Sequence, residues 1–167
     1  MGVAEALKCL TPYITGDAPL TVVPGYEVEE GQSVQRERDY LRTIAIYSTA
    51  HIAKRFPKQV QPLLLPVYRN SAETHQMRLA AFTIVMLCQP EQHILESIAS
   101  DLQRESDKQV ISFVASALKS VGNLKTPCMQ KLAAAASDAA DSAPKAKQSS
   151  KSSRFVARDY FDAKKSV

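Results

Sequence analysis

A pair of apolar helical segments recurs three times in this sequence, and a proline marks the same position in each copy. The first segments of the pairs span residues 40–56, 76–89 and 107–126. The second segments begin at Pro57, Pro90 and Pro127, where the missing proline N–H would have no helical partner in any case. A helix pair that recurs every 31 to 37 residues is typical of an α-solenoid. The sequence therefore predicts an all-α fold, a two-layer α–α superhelix.

Changes in composition divide the chain into five predicted parts. They are a remnant helix of a preceding unit at 1–12, an irregular insertion at 13–37, the superhelical segment at 38–141, a linker at 142–153, and the start of a β-sheet region at 154–167. We expect Pro12 to end the first helix, and Pro62 and Pro66 to interrupt the helix that begins at Pro57. A solenoid helix cannot bury its apolar face alone, so the first helix is interpreted as half of an incomplete unit.

The first helices of the second and third pairs are apolar over more than one stripe. Such a helix is buried on more than one side. Either the chain itself covers both sides, or a cover is supplied from outside and the isolated chain exposes one contiguous apolar patch. In both cases Phe82 and Phe113, which occupy equivalent positions, are expected in the core.

The net charge of +4 comes from the end of the chain. Residues 144–167 contain seven basic and two acidic residues, which leaves the first 143 residues close to neutral. Nucleic-acid binding requires a basic face on the fold, so no nucleic-acid partner is predicted. The basic tail is interpreted as a solvated linker, with contact to phosphate, anionic lipid or an acidic receptor as the alternative.

The sequence shows no catalytic, cofactor-binding or metal-binding constellation. Its three histidines share no helical spacing and stand in no Cys/His cluster, and no glycine-rich phosphate loop or nucleophile motif is present. An enzyme is therefore not predicted. No apolar run reaches the length needed to span a bilayer, and no signal peptide is visible. The chain is interpreted as intracellular or as a piece of a larger secreted protein.

Two of the three cysteines occupy positions that suit a disulfide. Cys88 ends the first helix of the second pair and Cys128 begins the second helix of the third pair, so both fall at the same end of a predicted stack. The alternative is that Cys9, Cys88 and Cys128 are all small buried thiols of an intracellular protein.

Five short stretches together resemble the large lipid transfer proteins, the family of vitellogenins, apolipophorins, microsomal triglyceride transfer protein and apolipoprotein B. They are Pro57–Asn70, the sequence Met-Arg-Leu-Ala-Ala-Phe at 77–82, Cys-Gln-Pro at 88–90, residues 109–116, and Arg-Asp-Tyr at 158–160. The resemblance is to the end of the N-terminal helical domain, covers about residues 38–167, and is strongest to the arthropod vitellogenins.

The resemblance implies an extracellular lipid carrier or egg-yolk precursor in which a helical superhelix wraps lipid-holding β-sheets. This chain would then be a helical structural segment that supports a lipid-cradling sheet. Its implied partners are lipid held by the parent protein, the adjacent β-sheet domains, and a lipoprotein receptor. The resemblance also favours a Cys88–Cys128 bridge with Cys9 free, because secreted chains permit disulfides. The alternative function is an intracellular α-solenoid scaffold that binds a protein partner.

Overall fold

The computed structural model describes residues 2–18, 32–144 and 153–157, and these residues form α-helices, one 3-10 helix and connecting segments. They divide into two compact units, residues 1–89 and 90–167. The first unit contains α1 (Val3–Thr15), α2 (Gln32–Ser48), α3 (Ala50–Arg55), α4 (Pro57–Arg69) and α5 (His75–Leu87). The second contains α6 (Gln92–Leu102), α7 (Lys108–Gly122), a 3-10 helix (Pro127–Met129) and α8 (Gln130–Ser142).

Helix α1 continues through Pro12, so the expectation that this proline ends the helix is wrong. The helix ends at Thr15 and is capped by Gly16, whose φ of 88° is the left-handed conformation that glycine adopts without strain. Ile14, beyond the proline, is fully buried. We attribute the extra turn to this burial, which offsets the hydrogen bond that Pro12 does not donate.

Helices α2 and α3 together occupy the predicted segment 40–56, and they are separated at Thr49. The Thr49 hydroxyl donates to the Ile46 carbonyl at 2.7 Å, forming a tight local turn. Helix α3 ends at Arg55 and is followed by Phe56, which has φ −133° and ψ 56°. Because the residue before a proline avoids the helical region, Pro57 explains this break and then begins α4.

Helix α4 runs without interruption from Pro57 to Arg69, so the predicted interruption at Pro62 and Pro66 is wrong. Its buried side chains include Val60, Leu64 and Val67, which lie on one face and pack towards the neighbouring helices. The rings of Tyr68 of α4 and Phe82 of α5 contact each other at a tilt of 44°, with centroids 5.5 Å apart. Tertiary packing therefore maintains a helix that local propensity argues against.

The three marker prolines occupy different positions in the structure. Pro57 is the first residue of α4, as predicted. Pro90 lies before Glu91, the N-cap of α6, and Pro127 opens the 3-10 helix that precedes α8. The predicted proline position is therefore confirmed for the first copy alone.

In the second unit, α8 packs against both α6 and α7. Its contact face is built from small residues, including the buried Ala133, Ala136 and Ala139. A Cβ placed on Gly122 of α7 would lie only 3.1 Å from the Ser137 backbone of α8. The α7–α8 pair is therefore tightly packed at the end of α7.

The predicted irregular parts lie largely outside the described residues. Helices α1 and α2 extend into the two ends of the range 13–37, and residues 19–31 are not described. Residues 145–152 of the linker and 158–167 of the predicted β-sheet region are also outside the described part. Residues 153–157 are described and are neither helix nor strand.

Candidate functional site

Helix α5 is buried on almost every side. Nine of its thirteen residues are buried, and Phe82 is only 1% exposed. It packs against α2, α3 and α4. The first interpretation, a helix covered within the chain, therefore holds for α5, and the expected exposed patch is not on this helix. Phe113 of α7 is half-buried rather than fully in the core.

The exposed large apolar side chains are concentrated on α2 instead. Tyr40 is 67% exposed, Ile44 44% and Tyr47 50%. These residues stand at i, i+4 and i+7 and therefore lie on one face of the helix. Leu41, which is 43% exposed, borders them. We call these four residues the α2 outer face, and each keeps between 43% and 67% of its surface exposed.

The opposite side of α2 is held in place by a buried arginine. Arg42 donates from Nη1 to Glu73 Oε2 at 2.8 Å and from Nη2 to Glu73 Oε1 at 2.6 Å. Nη2 also donates to the Ile14 carbonyl of α1 at 3.1 Å. The side chains of Arg42 and Glu73 are only 9% and 16% exposed. A bidentate ion pair of this kind fixes the orientation of the two side chains. Arg42 thus fixes α2 against α1 and the α4–α5 loop, so the outer face has a defined orientation in the first unit.

The second unit contains a cavity of about 460 Å³ along α7 and α8. Ser112, Lys119, Asp141 and Arg154 are among the residues that line it. Lipid-binding and other small-molecule pockets are lined mainly by apolar and aromatic side chains. The charges and hydroxyl groups of this cavity do not suit an acyl chain.

The predicted disulfide residues differ in environment. Cys88 is buried at the end of α5, and burial raises the pKa of its thiol to about 11. Cys128 lies exposed in the 3-10 helix of the second unit, and Cys9 is exposed on α1. All three are free thiols in the structure. The Cys88–Cys128 bridge stays a prediction.

The described residues contain no group of three or more His, Cys, Asp or Glu side chains placed to hold a metal ion. Within the same part of the chain, no helix has both the length and the apolarity to cross a membrane.

A family model described as the vitellogenin TPR domain matches residues 1–119 of the chain. The chain belongs to the vitellogenin TPR-domain family. The match includes the N-terminal residues before position 38, where the sequence showed no resemblance. The resemblance to the vitellogenin group is thereby confirmed, while the arthropod assignment stays a prediction.

Individual vitellogenins are similar to this family member over much of its length. Vitellogenin-6 of Caenorhabditis elegans is 31% identical over 105 residues, and the vitellogenin of Ichthyomyzon unicuspis is 31% identical over 108 residues. These matches cover 63% and 65% of the chain. Vitellogenin-6 of Oscheius tipulae is 28% identical over 81% of the chain. The chain spans only 6 to 8% of the length of these relatives.

A solved structure described as lipid–protein interactions in lipovitellin is similar to this vitellogenin-family chain in three dimensions. The TM-score is 0.60 with 27% sequence identity, covering 83% of this chain and 15% of the lipovitellin chain. This likeness confirms the predicted all-α fold class.

The sequence patterns did not separate the two faces of α2. Hydropathy groups Leu41, Ile44 and Tyr47 with the buried positions, although they lie exposed. The buried side of α2 and α3 is formed by Arg42, Ala45, Ile46, Thr49 and Ala53. Apart from Arg42, these residues are small or β-branched, and their helical spacing is the signal that identifies the inner face.

Proposed function

We propose that this chain is a helical structural segment of an extracellular lipid-transport lipoprotein of the yolk, or vitellogenin, type, and that it supports a lipid-cradling β-sheet of its parent protein. The α2 outer face is the observation that carries this proposal. In the parent, this face packs on the apolar surface of the adjacent sheet, while lipid is held by the sheets and a lipoprotein receptor binds the assembled particle.

The chemistry of the α2 outer face suits an apolar protein surface. Tyr40 and Tyr47 each offer a broad apolar ring with a hydroxyl at its tip, and Ile44 lies between them. Clusters of exposed apolar side chains on a soluble domain mark interaction surfaces. The Arg42–Glu73 pair holds α2 rigidly, which lowers the entropic cost of binding through this face.

The chain's small share of its relatives supports the same proposal. It corresponds to 6 to 8% of the vitellogenins it matches and to 15% of the lipovitellin chain. The cavity in the second unit carries charged and hydroxyl groups, including Lys119, Asp141 and Ser112, so the lipid-holding role is assigned to other parts of the parent. The role of this chain is mechanical support.

Dye and lipid binding by the purified chain test the proposal. We expect a hydrophobic fluorescent dye to bind the unaltered chain and to bind much less after the double substitution Ile44→Ser and Tyr47→Ser. Tyr13→Ser is the matched control, because Tyr13 is a comparably exposed aromatic residue on α1. Native mass spectrometry with phosphatidylcholine or triglyceride should show no one-to-one lipid complex.

Two outcomes would contradict the proposal. A stoichiometric complex with one lipid would mean that the chain builds its own lipid site. A dye-silent, monodisperse monomer would favour the intracellular scaffold with a polar partner. Production through the secretory pathway, followed by detection of the folded chain in the medium, tests the extracellular assignment.

A further inference from the structure

Residues 153–157 lie along α7, and side chains of that helix hold their main chain. Three alternate amide N–H groups donate to α7: Ser153 to Gln109 Oε1 at 2.7 Å, Phe155 to Ser116 Oγ at 2.9 Å, and Ala157 to Ser120 Oγ at 2.6 Å. The Ser120 hydroxyl also donates to the Ala157 carbonyl at 3.0 Å. The segment is thus bound through its backbone at every second residue.

The spacing of these contacts requires a stretched segment. Ser116 and Ser120 are one helical turn apart, which is about 6 Å along α7. Two residues of extended chain advance by about 6.6 Å, so Phe155 and Ala157 fall opposite the two hydroxyls. Gln109 lies about 10 Å before Ser116, and its longer side chain makes up the remaining distance to Ser153.

An aromatic contact lies in the middle of the segment. The Phe155 ring meets the Phe113 ring edge to face, with centroids 5.6 Å apart and an interplanar angle of 68°. Phe113 stands between Gln109 and Ser116 on the same helical face. The side chains of Arg154 and Val156 are exposed. We call Gln109, Phe113, Ser116 and Ser120 the α7 ladder.

We propose that the α7 ladder is an anchoring site for a stretched chain segment, and that residues 153–157 are the occupant that it fixes to α7. The ladder recognises main-chain N–H groups at alternate positions and one aromatic ring at the central position. It therefore tolerates substitution at 156 and requires an aromatic residue at 155. This inference does not depend on the proposed lipid role.

Amide hydrogen exchange measured by NMR on the full chain tests the anchor. The N–H groups of Phe155 and Ala157 should exchange about tenfold or more slowly relative to Val156, whose N–H has no hydrogen-bond partner among the described residues. Substituting both Ser116→Ala and Ser120→Ala should abolish this difference. Alanine is a better helix former than serine, so α7 is expected to remain folded. Ser100→Ala, at an exposed serine of α6, is the matched control.

The aromatic requirement is tested by a second matched pair. Phe155→Ala should speed amide exchange at position 155 and at Ala157, while Val156→Ala should leave the Ala157 amide protected. Equal exchange of the Phe155, Val156 and Ala157 amides in the unaltered chain would overturn the anchor. Protection that survives the double serine substitution, or that is lost equally in Ser100→Ala, would overturn the role of the ladder.

Discussion

Helices α2 and α5 lead successive predicted repeats, yet their surroundings differ. Helix α5 has nine buried residues and contacts α2, α3 and α4. Helix α2 is buried on one side through Arg42, Ala45 and Ile46 and exposes Tyr40, Ile44 and Tyr47 on the other. A helix's place in a repeat therefore does not determine its burial. What packs on each face determines it, and the uncovered face of α2 is where an external partner is expected.

The largest expected effect tests the buried member of this comparison. Phe82→Ala on α5 should lower the free energy of unfolding by about 3–5 kcal/mol, because it deletes a fully buried ring and leaves a cavity. The measurement is urea unfolding followed by circular dichroism. Phe56→Ala is the matched control. Because Phe56 is 38% exposed, its substitution should lower the free energy of unfolding much less. Equal losses for the two variants would mean that α5 is not the covered helix.

The Cys88–Cys128 bridge would add a covalent constraint at the end of α5. In material made in an oxidising compartment, we expect non-reducing peptide mapping to find this bridge and to find Cys9 free. Closing a loop of about 40 residues should stabilise the chain by roughly 3–4 kcal/mol in the chain-entropy model. Two alkylatable thiols at Cys88 and Cys128 in the native, unreduced protein would reject the bridge.

In the reduced chain, the Cys88 thiol provides a dependence of stability on pH. Burial raises its pKa from 9.0 to about 11. Below pH 9 the thiol is protonated in both the folded and unfolded states, so it adds no pH dependence there. Between pH 9 and 11 the unfolded state releases the proton first, so the free energy of unfolding should fall over this window. Cys88→Ser should remove the part of this decrease in the free energy of unfolding that comes from the Cys88 thiol.

The next effect concerns the inner side of α2. Arg42→Ala should lower the free energy of unfolding by on the order of 3 kcal/mol. The substitution leaves the Glu73 carboxylate largely buried without its partner and removes the hydrogen-bond donor of the Ile14 carbonyl. Arg36→Ala, at an exposed position of the same helix, should change stability by less than about 0.5 kcal/mol. Thermal unfolding of both variants measures the difference, and similar melting temperatures would show that Arg42 does not fix α2.

Periodicity in the sequence was sufficient to predict the helices and the buried character of α5, because apolar residues occupy nearly every face of that segment. Periodicity was insufficient at Pro12, Pro62 and Pro66. Each of these prolines locally disfavours the helix that contains it, but the same helix also buries apolar side chains such as Ile14 or Leu64. Local sequence carries no information on this packing energy.

The interaction surfaces were harder to predict than the helices. The α2 outer face was not recognised because hydropathy alone does not show which apolar side of a helix finds a partner. The α7 ladder was also missed, since it joins residues 37 to 44 positions apart through hydroxyl and amide groups that form no apolar pattern. Ser116 and Ser120 become informative only once α7 and residues 153–157 are placed side by side.

Hydroxyl-radical footprinting of the α2 outer face tests the central claim most directly. The rates of modification at Tyr40 and Tyr47 would be compared between the isolated chain and a longer vitellogenin-type protein that contains it, with buried Tyr68 as the internal control. We predict rapid modification of Tyr40 and Tyr47 in the isolated chain and strong protection in the longer protein, with Tyr68 protected in both. Equal modification of Tyr40 and Tyr47 in the two proteins would contradict the claim that this face supports another part of the parent.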